Sequence, residues 1–244
     1  VLEATESMAM MRDVNFTYVN EVQGFESVTG NAIVGGNDVA NLFDTIADDV
    51  LFLRPGFAQL LGDGIEMRAV GFESVEATAD AEGNDRVEFT DSEENDLFVA
   101  RGASGRMLGG GFESKANNFE IIKAHSSKGG VDTADLHGTP TDDRLLARPA
   151  EVKMVGAAYH NVVKGFAKTN AFAVAGGEDT AELRDGVGND VFVARPDSSI
   201  LMGEGYHNRA VGFANVSAHS IHGGFDTAIM HDSVGTDVYV ARSW

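Results

Sequence analysis

One stretch, Glu178 to Gly224, is copied along nearly the whole chain, and this repetition constrains the fold more than any other feature. Gly36, Gly83, Gly130, Gly177 and Gly224 close successive units and stand 47 residues apart, with no insertion or deletion between them. Four whole units, 37–83, 84–130, 131–177 and 178–224, follow a partial unit (1–36) and precede another (225–244). A period this strict predicts one continuous repeat body over residues 1–244, stabilised by contacts between neighbouring units. Both ends fall inside a unit, as expected of a segment of a longer array or of a ring closed by its own termini.

Each unit reads as short strands and turns. The first strand is DVANL (38–42), DTADL (132–136), DTAEL (179–183) or DTAIM (226–230). Ala181 and Leu183 alternate with Thr180, Glu182 and Arg184, the period-2 pattern of a strand with one buried face. An Asp/Gly/Asn turn follows, DGVGND at 185–190 in the clearest copy, because these side chains bond nearby amides and Gly tolerates positive φ. The next strand is DVFVAR (190–195), echoed at 96–101, 143–148 and 237–242. Phe192 and Ala194 continue the inward row; Val191 and Val193 form a second apolar row in need of a cover. A third segment carries Gly62, Gly109, Gly156 or Gly203, where a close approach leaves no room for a Cβ. The unit ends on a segment whose Phe recurs as Phe25, Phe72, Phe119, Phe166 and Phe213, a row expected in the core. The first unit departs most: it needs two extra residues before Tyr18 and substitutes Met8, Met10 and Met11, as a capping copy does.

Four such strands per 47 residues suit two all-β architectures. A β-solenoid, similar to a parallel β-helix or β-roll, would spend a unit on one wide coil or two ordinary ones and stack like residues about 4.8 Å apart. A five-bladed β-propeller would use each unit as a blade. The polar outer face of the first strand favours the solenoid, since blades bury both faces of most strands.

The net charge of −20 excludes nucleic-acid backbones and anionic membrane surfaces as partners and makes cations the natural counterpart. With no Cys there is neither a disulfide framework nor a thiolate metal site. No apolar run approaches the ~18 residues of a membrane span, and the opening VLEATESMAM does not read as a leader, so an export signal would lie outside this segment.

The run GGEDTAELRDGVGNDVFVA resembles the glycine- and aspartate-rich repeats of secreted RTX-type bacterial proteins, whose nonapeptides wind into a calcium-binding β-roll. The spacing here is 47 residues rather than nine, and about 18 residues of the unit share the likeness. The whole unit also looks like tandem repeats of very large secreted proteins of aquatic bacteria. The resemblance implies an extracellular or cell-surface structural part, with Ca²⁺ as the one candidate cofactor.

Two Asp positions recur without exception, Asp38, Asp85, Asp132, Asp179 and Asp226, and Asp49, Asp96, Asp143, Asp190 and Asp237. A third, Asp44, Asp91, Asp185 and Asp232, breaks only at Gly138. Like carboxylates stacked at about 5 Å repel by about 1 kcal/mol even in water, so something offsets them. Calcium in the turns makes Asp44, Asp49, Asp91, Asp96, Asp185, Asp190, Asp232 and Asp237 the candidate ligands. Backbone amides, or ladders with the invariant Arg54, Arg101, Arg148, Arg195 and Arg242, are the structural alternative. Six of the seven His share repeat positions in pairs (His160 and His207, His125 and His219, His137 and His231), and the seven do not converge on a ligand set.

No residues are assigned to catalysis. Tyr159, His160 and Arg148 supply the residue types of a polysaccharide lyase or epimerase on a β-helix, yet they belong to the repeat, whereas an active site is a single constellation. The expected function is therefore a non-enzymatic structural or adhesive segment of a bacterial surface or secreted protein, joining end to end or laterally into filaments through exposed apolar rows and strand edges. A glycan-binding module facing cell-surface polysaccharide is the alternative.

Overall fold

The computed structural model describes residues 1–240. It is a β-solenoid without helix, built from two sheets of 14 and 11 strands. The partial first unit contributes β1 (Leu2–Ala4), β2 (Met8–Arg12), β3 (Val19–Gln23) and β4 (Ser27–Asn31). The second gives β5 (Val39–Phe43), β6 (Val50–Arg54), β7 (Phe57–Gly62), β8 (Ile65–Val70) and β9 (Ser74–Thr78). The third gives β10 (Arg86–Thr90), β11 (Leu97–Arg101), β12 (Ser104–Gly109), β13 (Phe112–Asn117) and β14 (Ile121–His125). The fourth gives β15 (Thr133–His137), β16 (Arg144–Ala147), β17 (Glu151–Gly156), β18 (Tyr159–Lys164) and β19 (Lys168–Phe172). The fifth gives β20 (Thr180–Arg184), β21 (Val191–Arg195), β22 (Ser198–Gly203), β23 (Tyr206–Val211) and β24 (Asn215–His219), and β25 (Thr227–Met230) opens the sixth.

A full unit thus has five strands rather than four, because the stretch around the invariant Gly is an antiparallel meander: β11 pairs β12 and β12 pairs β13. The meander counts as one visit to one sheet. A unit visits the sheets three times, as single strand, meander and single strand, which is one and a half turns. Hence β11–β13 lie in the 14-stranded sheet, β16–β18 in the other and β21–β23 in the first again. Consecutive units are related by a half-turn, and neither one wide coil nor two ordinary coils describes them. The blade arrangement is also excluded, since the sheets are continuous along the molecule rather than fanned about an axis.

Between meanders the pairing is parallel. Arg86 lies opposite Ile121, 35 residues on; Leu97 opposite Thr133, 36 on; and Ser74 opposite Glu113, 39 on. Going from β9 through β10 to β11, the chain lands three places up the sheet, and β12 and β13 fill the two places it skipped. Each turn that leads into a meander overshoots, and the meander backfills.

The core runs the length of the molecule between the sheets. The inward rows expected from the alternation are buried, for example Ala181 and Leu183 on β20 and Phe98 and Ala100 on β11. Phe72, Phe119, Phe166 and Phe213 are buried with them, and Phe98 and Phe166 sit 6.2 Å apart between ring centres. Phe25 is the exception, 57% exposed at one end. Outward residues are half-exposed and carry ion pairs such as Arg106–Glu113 (2.6 Å) and Lys164–Glu151 (3.2 Å), which contribute little individually. Val191 and Val193 belong to this outer row and are half-buried.

Candidate functional site

The conserved turn places its Asp residues at the corner where a single strand crosses into the meander. In the corner between β10 and β11, Asp96 donates its backbone N–H to Asp132 Oδ1 at 2.7 Å and accepts from the Ser92 amide and hydroxyl, both at 2.9 Å, on Oδ2. Asp91 accepts from the amides of Ser127 (2.7 Å) and Lys128 (2.8 Å) on the next turn. Asn95 takes the Val131 amide at 2.7 Å. The scheme repeats. Asp49, Asp143 and Asp190 donate to Asp85, Asp179 and Asp226 at 2.8, 2.7 and 2.9 Å, always 36 residues on. Asp44 accepts the Ala81 amide at 2.9 Å, and Asp185 those of Ile221 (2.9 Å) and His222 (3.0 Å).

These bonds overturn the stacked columns. Asp49, Asp96, Asp143 and Asp190 lead alternately into opposite sheets, so like Asp does not sit over like Asp; a member of one column meets a member of the other on the adjacent turn. The offset to their repulsion comes mainly from backbone amides. The Arg ladders are also corrected: among the described residues no ion pair joins Arg54, Arg101, Arg148 or Arg195 to an Asp, and these side chains are exposed, Arg54 lying 4.6 Å over the Phe57 ring. Arg54, Arg101 and Arg195 end their strands at the lip of the meander and Arg148 directly follows β16, so that each guanidinium reaches water. Arg242 lies outside the described residues.

The invariant meander glycines make room for the same carboxylates. A Cβ on Gly62, Gly109 or Gly203 would stand 1.8, 1.5 or 1.8 Å from Oδ1 of Asp49, Asp96 or Asp190, and one on Gly156 2.4 Å from Oδ1 of Asp143. What then satisfies Oδ1 depends on the residue three places later. Tyr159 donates its hydroxyl to Asp143 at 2.7 Å and Tyr206 to Asp190 at 2.6 Å. Ile65 and Phe112 occupy the equivalent position beside Asp49 and Asp96, whose Oδ1 atoms are buried without a hydrogen-bond partner. Burial above all, partly offset by the Thr45 or Ser92 bonds and reinforced by neighbouring carboxylates, raises the pKa of both Asp49 and Asp96.

The partner column varies in the same manner. Ser126 and Ser220 donate hydroxyls to Oδ2 of Asp132 and Asp226, while Ala79 and Ala173 stand at that position for Asp85 and Asp179. Burial, then nearby carboxylates, pushes Asp85 up to about 6 and raises Asp179 as well. This Tyr/Ser support of the carboxylates was not read from the sequence, although its signal was present in columns that switch between a hydroxyl residue and its apolar counterpart.

Of the candidate cation ligands, Asp185 and Asp190 converge with Asp226: among the described residues theirs is the one acidic set with carboxylate oxygens all within 4.8 Å of one another. Asp190 is 2% exposed, and its Oδ2 has no partner. Burial opposes ionisation of Asp185, yet the His222 and Ile221 amides and the His222 ring, 2.9 Å from Oδ1, outweigh it and hold its pKa below the usual range. Asp44 and Asp49, and Asp91 and Asp96, form no comparable set, and Asp232 and Asp237 are exposed, the latter bonded by Ser233.

The lyase-type residues are not brought together. Tyr159 points inward to Asp143, burial first and that bond second raising its pKa far above the ordinary phenol value, whereas His160 follows it on β18 and faces the other side. His137 stacks on Phe172, ring centres 4.8 Å apart; among the described residues the acidic set itself contains no His, although the His222 ring bonds its Asp185. No family model, curated protein or solved structure matches this chain.

Proposed function

We propose that this chain is a non-enzymatic structural segment of an extracellular or cell-surface protein, acting as a stiff acidic spacer. The observation that carries the reading is that the chemistry-bearing residues are spent on the repeat itself: the Asp of each corner bind one turn to the next, while Gly makes room for their carboxylates and Ser or Tyr supports them at some corners. Fourteen strands at about 4.8 Å per strand give a body on the order of 60 Å long, with both sheets contributing to one core. The charge of −20 supports solubility and mutual repulsion between such bodies. Immunogold labelling of producing cells tests the reading: label at the outer surface is expected, and a cytosolic location overturns it.

A divalent cation at the corner of Asp185, Asp190 and Asp226 belongs to this reading, carried by the orphaned Asp190 Oδ2. Calcium prefers hard oxygen ligands and would neutralise carboxylates that the amides leave charged. Calorimetric titration of chelated protein with Ca²⁺ is expected to show one weak site per chain, lost in Asp190→Asn. Absence of heat, with an unchanged Tm at millimolar Ca²⁺, removes the cation and leaves the spacer untouched.

A further inference from the structure

Acid and base are segregated on the surface. The corners where the chain passes from the 14-stranded sheet into the 11-stranded one expose Asp48, Asp80, Glu82, Asp142 and Glu178 and hold no Lys or Arg. The outer face of the 11-stranded sheet has the opposite sign. Its adjacent strands β20, β16, β17, β18, β14, β10 and β6 each point one cation outward, an unbroken run on the order of 30 Å long at about 4.8 Å per strand. Among the described residues the other sheet has no such run, since β15, β9 and β5 carry no Lys or Arg.

Three Glu on the run each lie between two of these cations: Glu88 with Arg86 (3.7 Å) and Lys123 (3.4 Å), Glu151 with Lys153 (2.9 Å) and Lys164 (3.2 Å), and Glu182 with Arg144 (3.6 Å) and Arg184 (2.6 Å). Cross-strand pairing needs one cation per Glu, so the second is surplus. Arg54 and Arg148 add to the surplus, with no ion-pair partner among the described residues. A chain of net charge −20 therefore sets eight cations against three acids on this face. The Glu side chains lie low, 21–28% exposed, and the paired cations stand above them at 33–70%. Val162 faces outward opposite both Lys123 and Lys153 yet is only 6% exposed, so the lysine stems lie across it and hold their charged ends over the sheet.

We propose that this strip binds a single extended chain of an acidic polysaccharide, its carboxylate or sulfate groups spaced along the cations. The proposal rests on the cell-surface reading and names the partner the face would meet there. Charges are screened beyond about 8 Å at physiological ionic strength, so an anion near the strip responds to the local surplus rather than to the net charge. The strip is no wider than a six-residue strand, about 20 Å. A lipid surface or a nucleic-acid duplex is broad and uniformly anionic and would meet the acidic corners as well; a thin chain meets the strip alone. Single-stranded nucleic acid finds no stacking surface, because from β20 to β10 the cations are interleaved with Leu146, Val155, Val162 and Ile121 and no Phe, Tyr or Trp faces outward.

Retention of the whole chain on immobilised polygalacturonate and dextran sulfate, with neutral dextran as the blank, reads the binding. At about 0.15 M NaCl at least one acidic polymer is expected to retain it, and about 1 M NaCl, where the screening length falls to about 3 Å, to release it. Lys123→Gln with Lys153→Gln is expected to weaken retention about tenfold, and Arg148→Gln, which breaks no ion pair, about threefold. Lys128→Gln with Lys168→Gln makes the same change in net charge off the strip and is expected to leave retention unchanged, an unaltered Tm showing that each variant is folded. No retention on either acidic polymer overturns the proposal, as does retention that survives the higher salt or falls equally in the two double variants. Equal retention on polyuridylate would move the strip to nucleic acid, and self-association lost with Lys123→Gln and Lys153→Gln would move it to a second copy; either overturns the polysaccharide. Absence of binding leaves the spacer reading standing, whereas binding by a cytosolic protein sinks the surface location alone.

Discussion

Gly109 and Phe112 show how narrowly one position can be specified by a residue distant from it in the turn. Gly109→Ala would drive a Cβ to 1.5 Å from Asp96 Oδ1, so a loss of roughly 3 kcal/mol or more is expected in denaturant unfolding. Gly35, with nothing within 4 Å of a built Cβ, is the neutral control. Phe112→Tyr supplies the hydroxyl that Tyr159 and Tyr206 supply elsewhere, and is expected to stabilise by about 1 kcal/mol by satisfying Asp96 Oδ1. The pH dependence of Asp85 follows from its raised pKa. A carboxyl held at about 6 in the folded chain against 3.8 unfolded contributes stability below pH 4 that is lost as pH rises through 6. Asp85→Asn keeps the acceptor for the Asp49 amide and removes the charge. Its Tm is expected above that of the parent at pH 7.5, by on the order of 2 kcal/mol in stability, and equal to it near pH 3.5.

At the scale of strands, the period-2 rows of Ala181 and Leu183 or Phe98 and Ala100 were legible because alternation reports directly which face meets the core. The meander was not. Its two turns sit among ordinary glycines, at Gly109 to Gly111 for instance, and a bend that reverses a strand within its own sheet has the same composition as one that carries it to the opposite sheet. That single ambiguity hid the half-turn, and with it the pairing of one Asp column with the other. The glycine column itself was legible as a close approach, while the atom approached, a carboxylate oxygen 13 residues earlier, depended on the fold. The Arg column shows the opposite error: constancy suggested a partner, whereas position at a strand end in solvent suffices.

For the molecule as a whole, stability should behave as a sum over units and their interfaces. Excising residues 84–130 joins units whose edges are equivalent, so the shortened chain is expected to fold. It should unfold at a modestly lower Tm and be shorter by about 12 Å in scattering, two and a half strand spacings. Failure to fold would show that one unit is needed as a nucleus.

The half-turn between units also decides how such a body presents anything attached to it. A peptide grafted at the same position of every unit would emerge left, then right, then left. Each flank would therefore display every second graft, at intervals of about 24 Å, and a flat binding surface laid along one flank would meet only half of them.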